Sequence, residues 1–232
     1  MATYVLIHGA SDAFYWHRVV PLLEGRGHEV IAPDLPIGDE DAGFADYADT
    51  VVEAVGHREN LIVVGQSLGA FTAPIVCQRV PVDLLVLVAP MIPAPGETPG
   101  QWWDNTGQPQ AQRELDLREG RDPDADFDVV TTFLHDVPTE VVTAVLDHGV
   151  PGQSENIFAQ PWPLEAWPNI PTRVLLARDD RLLPPDLVRR VAKERLGITP
   201  DEVPGGHLIA LGHPDALVDW LESFRLDHER ID

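Results

Sequence analysis

Short runs of consecutive apolar residues alternate along the chain with longer stretches in which apolar residues recur every three to four positions. The runs at 3–8, 29–34, 61–65, 84–89, 172–177 and, more weakly, 202–204 predict strands. Leu84-Leu85-Val86-Leu87-Val88 is apolar throughout, which suits a strand buried on both faces. Helices are predicted over 15–26, 44–57, 68–80, 185–196 and 215–224. Pro74 stands inside the third of these. It predicts a kink, since proline removes a donor and crowds the preceding turn. Such alternation makes an α/β chain: a doubly wound, mostly parallel sheet of six strands with helices on both faces.

The alternation stops between residues 93 and 170, a stretch rich in Pro, Gly and Asp. It holds Trp102, Trp103, Trp162 and Trp167, four of the six tryptophans, with Phe133 and Phe158. A structureless loop of that length is uncommon, and tryptophans call for something to pack against. Residues 129–135 and 139–148 have helical patterns. The expected organisation is therefore a core from 1–92 and 171–232, with a helical cap inserted at 93–170. No internal repeat is present.

Composition narrows the function classes. The 232 residues are 44% hydrophobic and 23% charged, enough to bury a core and too apolar for whole-chain disorder. The net charge of −22 repels phosphate backbones and anionic lipid, which disfavours nucleic-acid and membrane partners. The single cysteine, Cys77, excludes an intrachain disulfide. No apolar stretch reaches the ~20 residues of a membrane span. The first residues run directly into Tyr4-Val5-Leu6-Ile7 without a cationic leader, so a cytoplasmic location is expected.

The chemistry gathers around Gly65-Gln66-Ser67-Leu68-Gly69. Gly-x-Ser-x-Gly by itself turns up by chance in roughly one chain in fifteen of this length. Its place, between a predicted strand and a predicted helix, carries more information. A sharp strand-to-helix turn needs small neighbours and lifts the serine hydroxyl out of the sheet. The helix after that turn points its N-terminus at any developing negative charge. A serine hydroxyl needs a base, and the base needs an orienting acid; in this topology the order is Ser, Asp or Glu, then His. Of the late histidines, His207 follows Gly205-Gly206 in a turn able to reach the serine. His213 opens the last helix and is expected to bond locally, and His228 lies in the polar tail. Two acids, Asp179 and Asp180, follow the fifth strand, and spacing alone does not choose between them. The amide of Leu68, after the serine, is one candidate donor to an oxyanion, and a second is expected from His8-Gly9-Ala10. His8 itself is expected to be structural.

The stretch His8-Gly9-Ala10 … Trp16 … Pro21-Leu22-Leu23 … Gly27-His28-Glu29-Val30 … Pro33-Asp34-Leu35 resembles the α/β-hydrolase superfamily, in its branch of small plant methyl-ester esterases and hydroxynitrile lyases. The resemblance implies that the second oxyanion amide is that of Ala10. It also implies Asp180 as the acid, because the superfamily acid stands a few residues before a proline, here Pro184, although Ala177 replaces the usual glycine. Hydroxynitrile lyases of this branch carry threonine where this chain has Gly9 and lysine where it has Leu208, which disfavours cyanohydrin cleavage.

The resulting expectation is a serine esterase acting on a small, fairly apolar carboxylic ester, with Ser67, Asp180 and His207 as triad and Ala10 and Leu68 as oxyanion hole. Phe14, Trp102 and Trp103 are candidates for the pocket wall. Neither a metal motif nor a dinucleotide loop is present, so no cofactor is expected. A small-molecule ester is the expected partner, and homodimer formation is left open. Two rivals remain: a C–C bond hydrolase or lyase on the same triad, and a triad-bearing ligand receptor with little turnover.

Overall fold

The computed structural model describes residues 1–149 and 152–230; positions 150 and 151 of the expected cap and the last two residues lie outside the described residues. Along the chain come β1 (Thr3–Ile7), a 3-10 turn (Ala13–Trp16), α1 (Val20–Gly25), β2 (Glu29–Ile31), α2 (Phe44–Val55), β3 (Leu61–Gln66), α3 (Gly69–Arg79) and β4 (Leu84–Val88). Five helices come next: α4 (Pro99–Thr106), α5 (Gln108–Arg118), α6 (Val129–Phe133), α7 (Thr139–His148) and α8 (Asn156–Ala159). The chain closes with β5 (Thr172–Ala177), α9 (Pro185–Leu196), β6 (Asp201–Val203), α10 (Ile209–Gly212) and α11 (Pro214–Glu229).

The six strands form one sheet in the order β2-β1-β3-β4-β5-β6, and every pairing is parallel. The four inner strands alternate between two apolar clusters, as a period of two requires. Val5, Ile7, Leu61, Val63, Leu85, Leu87, Val174 and Leu176 face the cluster that takes in α2, α3 and α9. Tyr4, Leu6, Ile62, Val64, Leu84, Val86 and Leu175 face the other, with Tyr15, Trp16, Leu23 and the α11 side chains Leu217, Val218, Leu221 and Phe224. The edge strands β2 and β6 have three residues each, short enough to offer little template for further pairing.

This order places the functional end. The chain leaves β1 to one side for β2 and returns to the other side for β3, so the winding reverses between β1 and β3. In open α/β sheets ligands bind outside the carboxyl ends of the strands at such a point. The register pairs Ile7 with Gly65, which sets residues 8–10 beside residues 66–68.

The structure modifies the expected elements in two respects. The helix expected at 15–26 is divided into the 3-10 turn, capped by the Asp12 side chain, and α1, with Pro21 in its first turn. Pro21 cannot donate, so it suits a helix start and not a helix interior. Pro74 lies inside α3, where the sequence places it. Four helices, the one-turn α8 and α10 and the longer α4 and α5, have no counterpart in the expected elements, and of the longer pair α4 comes first. The first is built on a capping box in which Thr98 and Gln101 exchange hydrogen bonds, and it ends on Gly107 in the left-handed region. The second is polar nearly all round, with Gln108 and Leu115 its buried residues. Apart from Leu115, the buried apolar side chains of 94–170 join the two clusters already described: Trp102, Ile157, Trp162 and Leu164 the first, Leu134, Val137 and Val141 the second.

Candidate active site

Ser67 lies between β3 and α3 with φ of +51°, in a left-handed region that is costly for a residue with a side chain. Two glycines allow the turn by close approach. A Cβ at Gly65 would stand 2.8 Å from the Ala73 Cβ, and one at Gly69 would stand 2.7 Å from the His8 carbonyl oxygen. The strained turn is held from β4: Ser67 N donates to Val88 O at 3.1 Å, and Met91 N donates to Ser67 O at 3.1 Å.

The structure brings Ser67, His207 and Asp180 together from three separate strand ends. His207 Nε2 is 3.0 Å from Ser67 Oγ, and its Nδ1 is 2.7 Å from Asp180 Oδ2. Asp180 Oδ1 accepts from the amides of Leu182 and Leu183, both at 2.8 Å. His207 and Asp180 are buried. A carboxylate only accepts, so Nδ1 carries the imidazole proton and Nε2 is left to accept from the serine hydroxyl. A hydroxyl in this position can pass its proton to the imidazole as it attacks a carbon. Asp179 takes another direction. It is exposed, and its carboxylate accepts from Gly205 N at 3.0 Å in the turn ahead of His207.

Ala10 and Leu68 both border the cavity beside Ser67. Neither amide is among the hydrogen-bonded donors of the described chain, and α3 begins directly behind them. His8 is a strut for this loop. It lies 2.9 Å from Gly9 O through Nδ1, and its Nε2 accepts from Leu35 N at 3.1 Å. Burial pushes its pKa down, so it stays neutral with the proton on Nδ1.

The cavity over Ser67 has a volume of about 300 Å³. Its walls are Leu68, Met91, Leu182 and Leu208 with Trp103, Phe127, Phe133 and Phe158, and the aromatic four come from the segment between β4 and β5. Beyond Ser67 and His207, the polar side chains at its lining are Ser11 and Gln66. A larger hollow of about 530 Å³ adjoins it across Phe127, lined by Arg113, Asp116, Arg121, Asp126, Asp128 and Arg181 among others. Its lining contains no serine or histidine.

Trp103, one of the three candidate wall residues, lines the cavity. Trp102 is 1% exposed, packed in the core with Nε1 donating to Ile92 O at 2.9 Å. Adjacent helical residues point about 100° apart, so one tryptophan of the pair turns inward and the other toward the cavity. Phe14 is stacked between His17 and His148 at 4.2 Å from each ring and lies outside the cavity lining. Sequence reasoning missed Phe127, Phe133 and Phe158 as wall residues. Phe127 lies outside any helix, and α6 and α8, which carry Phe133 and Phe158, are too short for a periodicity that would single those rings out. His213 takes the N-cap position of α11 and bonds locally through its backbone, its N donating to Ile209 O at 2.7 Å and its O accepting from Leu217 N at 3.1 Å, while its ring lies 3.2 Å from Asp136 Oδ2. Among the described residues, no group of three or more His, Cys, Asp or Glu is arranged to hold a metal ion, and no helix is long and apolar enough to cross a membrane.

A parallel sheet with a strained serine turn at its winding reversal defines a class, and comparison with known proteins agrees. The chain belongs to the Alpha/beta hydrolase family, whose profile matches residues 4–220. It is similar to the pyrethroid hydrolase of Sphingobium wenxiniae, with 30% identity over 248 aligned positions that cover 95% of this chain and 86% of that protein. A solved pyrethroid hydrolase from Sphingobium faniae JZ-2 superimposes with a TM-score of 0.74 at 26% identity, covering 97% of each chain. Polyneuridine aldehyde esterase of Rauvolfia serpentina is 29% identical over 108 residues, 41% of each chain. The solved structure of a polyneuridine aldehyde esterase shares the fold, with a TM-score of 0.75 at 17% identity over 96% of this chain and 98% of that one. The chain takes its place among the carboxylic ester hydrolases, and over about two fifths of its length it is similar to plant esterases.

Proposed function

We propose that the protein is a serine hydrolase that cleaves a small, apolar carboxylic ester through an acyl-enzyme intermediate. The observation that carries this reading is the hydrogen-bonded row from Asp180 through His207 to Ser67, ending at an apolar cavity. Ser67 Oγ attacks the ester carbonyl while His207 Nε2 takes its proton and returns it to the leaving alkoxide. Water then attacks the acyl-enzyme by the same route. Asp180 fixes the imidazole tautomer and stabilises the imidazolium, and the Ala10 and Leu68 amides receive the oxyanion at the N-terminus of α3.

Cavity size and lining support the substrate class. About 300 Å³ is at the low end of ligand pockets, which span roughly 300–1,000 Å³. A charged acyl or alcohol group would lose its hydration against these walls with nothing to replace it. A C–C bond hydrolase would need further polar groups facing Ser67, but Gln66 Nε2 is already directed to the His207 carbonyl at 3.4 Å. Pyrethroids, the esters in the names of two relatives, mark the bulky end of a useful test series.

The experiment is a panel of nitrophenyl esters of graded acyl length, methyl esters, lactones, cyanohydrins and a pyrethroid, run with wild type beside Ser67→Ala. The expected result is turnover of short apolar esters that Ser67→Ala abolishes, with a fluorophosphonate labelling Ser67 alone. Labelling or turnover that survives Ser67→Ala would overturn the assignment. Labelling with no turnover of any ester would favour a receptor.

A further inference from the structure

We infer that Asp136, on the link between α6 and α7, is a positioning residue for His207. The inference rests on the reading of His207 as the general base. His207 is approached through Gly205-Gly206, two residues without side chains, the first with φ of +117°. Such a stretch has the widest choice of backbone conformations of any dipeptide, so hydrogen bonds from outside must hold it.

Each residue of the approach has its own anchor. Gly205 is held on both sides by Asp179, whose Oδ2 accepts from Gly205 N at 3.0 Å and whose N donates to Gly205 O at 2.9 Å. The His207 ring is held by Asp180 and the His207 carbonyl by Gln66. Gly206, between them, donates its N–H to Asp136 Oδ2 at 2.6 Å. The same oxygen lies 3.2 Å from His213 Nε2, so one carboxylate ties residue 206 to residue 213 and closes the segment that His207 opens. Hydrogen bonds to an ionised acceptor are the stronger kind. The Asp136 side chain is 18% exposed, so water competes weakly for it.

Residue 206 is fitted to this contact. A Cβ there would stand 2.8 Å from Asp136 Oδ1 and 2.7 Å from His135 Nε2. Three residues before Asp136, the Phe133 ring lies 5.4 Å from the His207 ring. Residues 133–136 thus touch the histidine loop at both the ring and the backbone behind it. Asp179, Asp180 and Gln66 extend from strand ends; Asp136 alone of the four anchors comes from the segment that also walls the cavity. Proton transfer from Ser67 depends on the 3.0 Å approach to His207 Nε2, and misplacing a reacting group by about 1 Å costs on the order of 100-fold.

The test compares Asp136→Ala, Asp136→Asn and Gly206→Ala with wild type and Ser67→Ala on the best short ester, with thermal unfolding measured in parallel. Asp136→Ala should lower kcat by about 10- to 100-fold, leave KM within about threefold, and slow fluorophosphonate labelling of Ser67 by a similar factor. Asp136→Asn still offers an oxygen to Gly206 N and should keep kcat within about threefold of wild type. Gly206→Ala pushes Asp136 away and should reproduce the kcat loss; it carries the test should Asp136→Ala not fold. Unchanged kcat in Asp136→Ala or Gly206→Ala, a loss confined to KM, or an Asn variant as impaired as the Ala variant each overturns the inference. Activity that survives Ser67→Ala would instead remove the reading on which the inference stands, so the two failures are told apart in one series.

Discussion

Replacing Asp180 by asparagine exchanges one oxygen for an NH2 group, and the neighbouring donors decide its orientation. Two backbone N–H groups, of Leu182 and Leu183, point at Oδ1 from 2.8 Å each. They can only donate, so the amide oxygen of an asparagine must take that place. Its NH2 group then faces His207 Nδ1 at the position where Oδ2 now accepts at 2.7 Å. Two donors cannot share the contact, so Nδ1 gives up its proton and accepts, and the ring proton moves to Nε2. There it faces Ser67 Oγ, and the base can no longer take the serine proton. In a serine triad of this logic the wrong tautomer costs about 10⁴ in kcat, or roughly 5.4 kcal/mol of transition-state stabilisation. Both backbone bonds survive, so thermal stability should change little. Asp180→Ala would leave the buried Leu183 amide and the partly buried Leu182 amide without an acceptor, at about 1–3 kcal/mol for the buried one. Asp179→Asn keeps an acceptor for Gly205 N and should cost less than about tenfold. The assay is kcat and kcat/KM on a nitrophenyl ester, with thermal unfolding as the control. A loss below about tenfold in Asp180→Asn, or a greater loss in Asp179→Asn, would refute the reasoning.

The tryptophan pair should divide by function. Trp103→Ala opens the cavity wall, so kcat/KM for long and short acyl groups should shift by unequal factors, about 10-fold or more apart, with a modest change in stability. Trp102→Ala removes a fully buried ring and should cost about 3–5 kcal/mol with little change in chain-length preference; interchanged effects in the two variants would reverse the assignment. Glu222, far from the serine, sets a pH dependence of stability. Burial by itself would raise its carboxyl, but Arg225, Tyr4 and His28 outweigh burial and hold it down at about 2, against about 4.3 for a free glutamate. The unfolded chain takes up that proton first on acidification. The stabilisation is therefore complete above about pH 5 and fades as pH falls toward 2. Wild type should exceed Glu222→Gln by roughly 1–3 kcal/mol near pH 6, and the gap in denaturant-unfolding free energy should close toward pH 2; a gap independent of pH would contradict the assignment.

Legibility tracked the physics of each segment. Inner strands showed as continuous apolar runs because both their faces are covered, and β5 has the bounds its pattern predicts. Helices α7 and α9 also match their expected ranges, since each keeps one apolar face at helical spacing. Of the four missed helices, α8 and α10 are single turns too short to show a period, and α4 and α5 lack such a face. In α4 the start signal was nonetheless present as Thr98-Pro99-Gly100-Gln101, a capping box with proline in the first turn. In α5 the polar side chains pair along the helix, as in Gln110 with Glu114, and leave no hydrophobic period to read.

The sequence by itself determined the strand–turn–helix around Ser67. A serine forced to positive φ between β3 and α3 needs Gly65 and Gly69, and such local needs are written locally. The order Ser, Asp, His came from the same topology. Spacing left Asp179 and Asp180 open and only the family resemblance pointed to Asp180; the tertiary structure directs the Asp180 carboxylate to His207 and the Asp179 carboxylate to Gly205 N, because neighbours in a turn differ in the direction their side chains leave the backbone. It likewise sent Trp102 inward and Trp103 to the cavity, and it brought Asp136 to Gly206 across 70 residues. Contacts of that kind depend on how the packed segments meet, and no local pattern of residue types encodes a meeting that far apart along the chain.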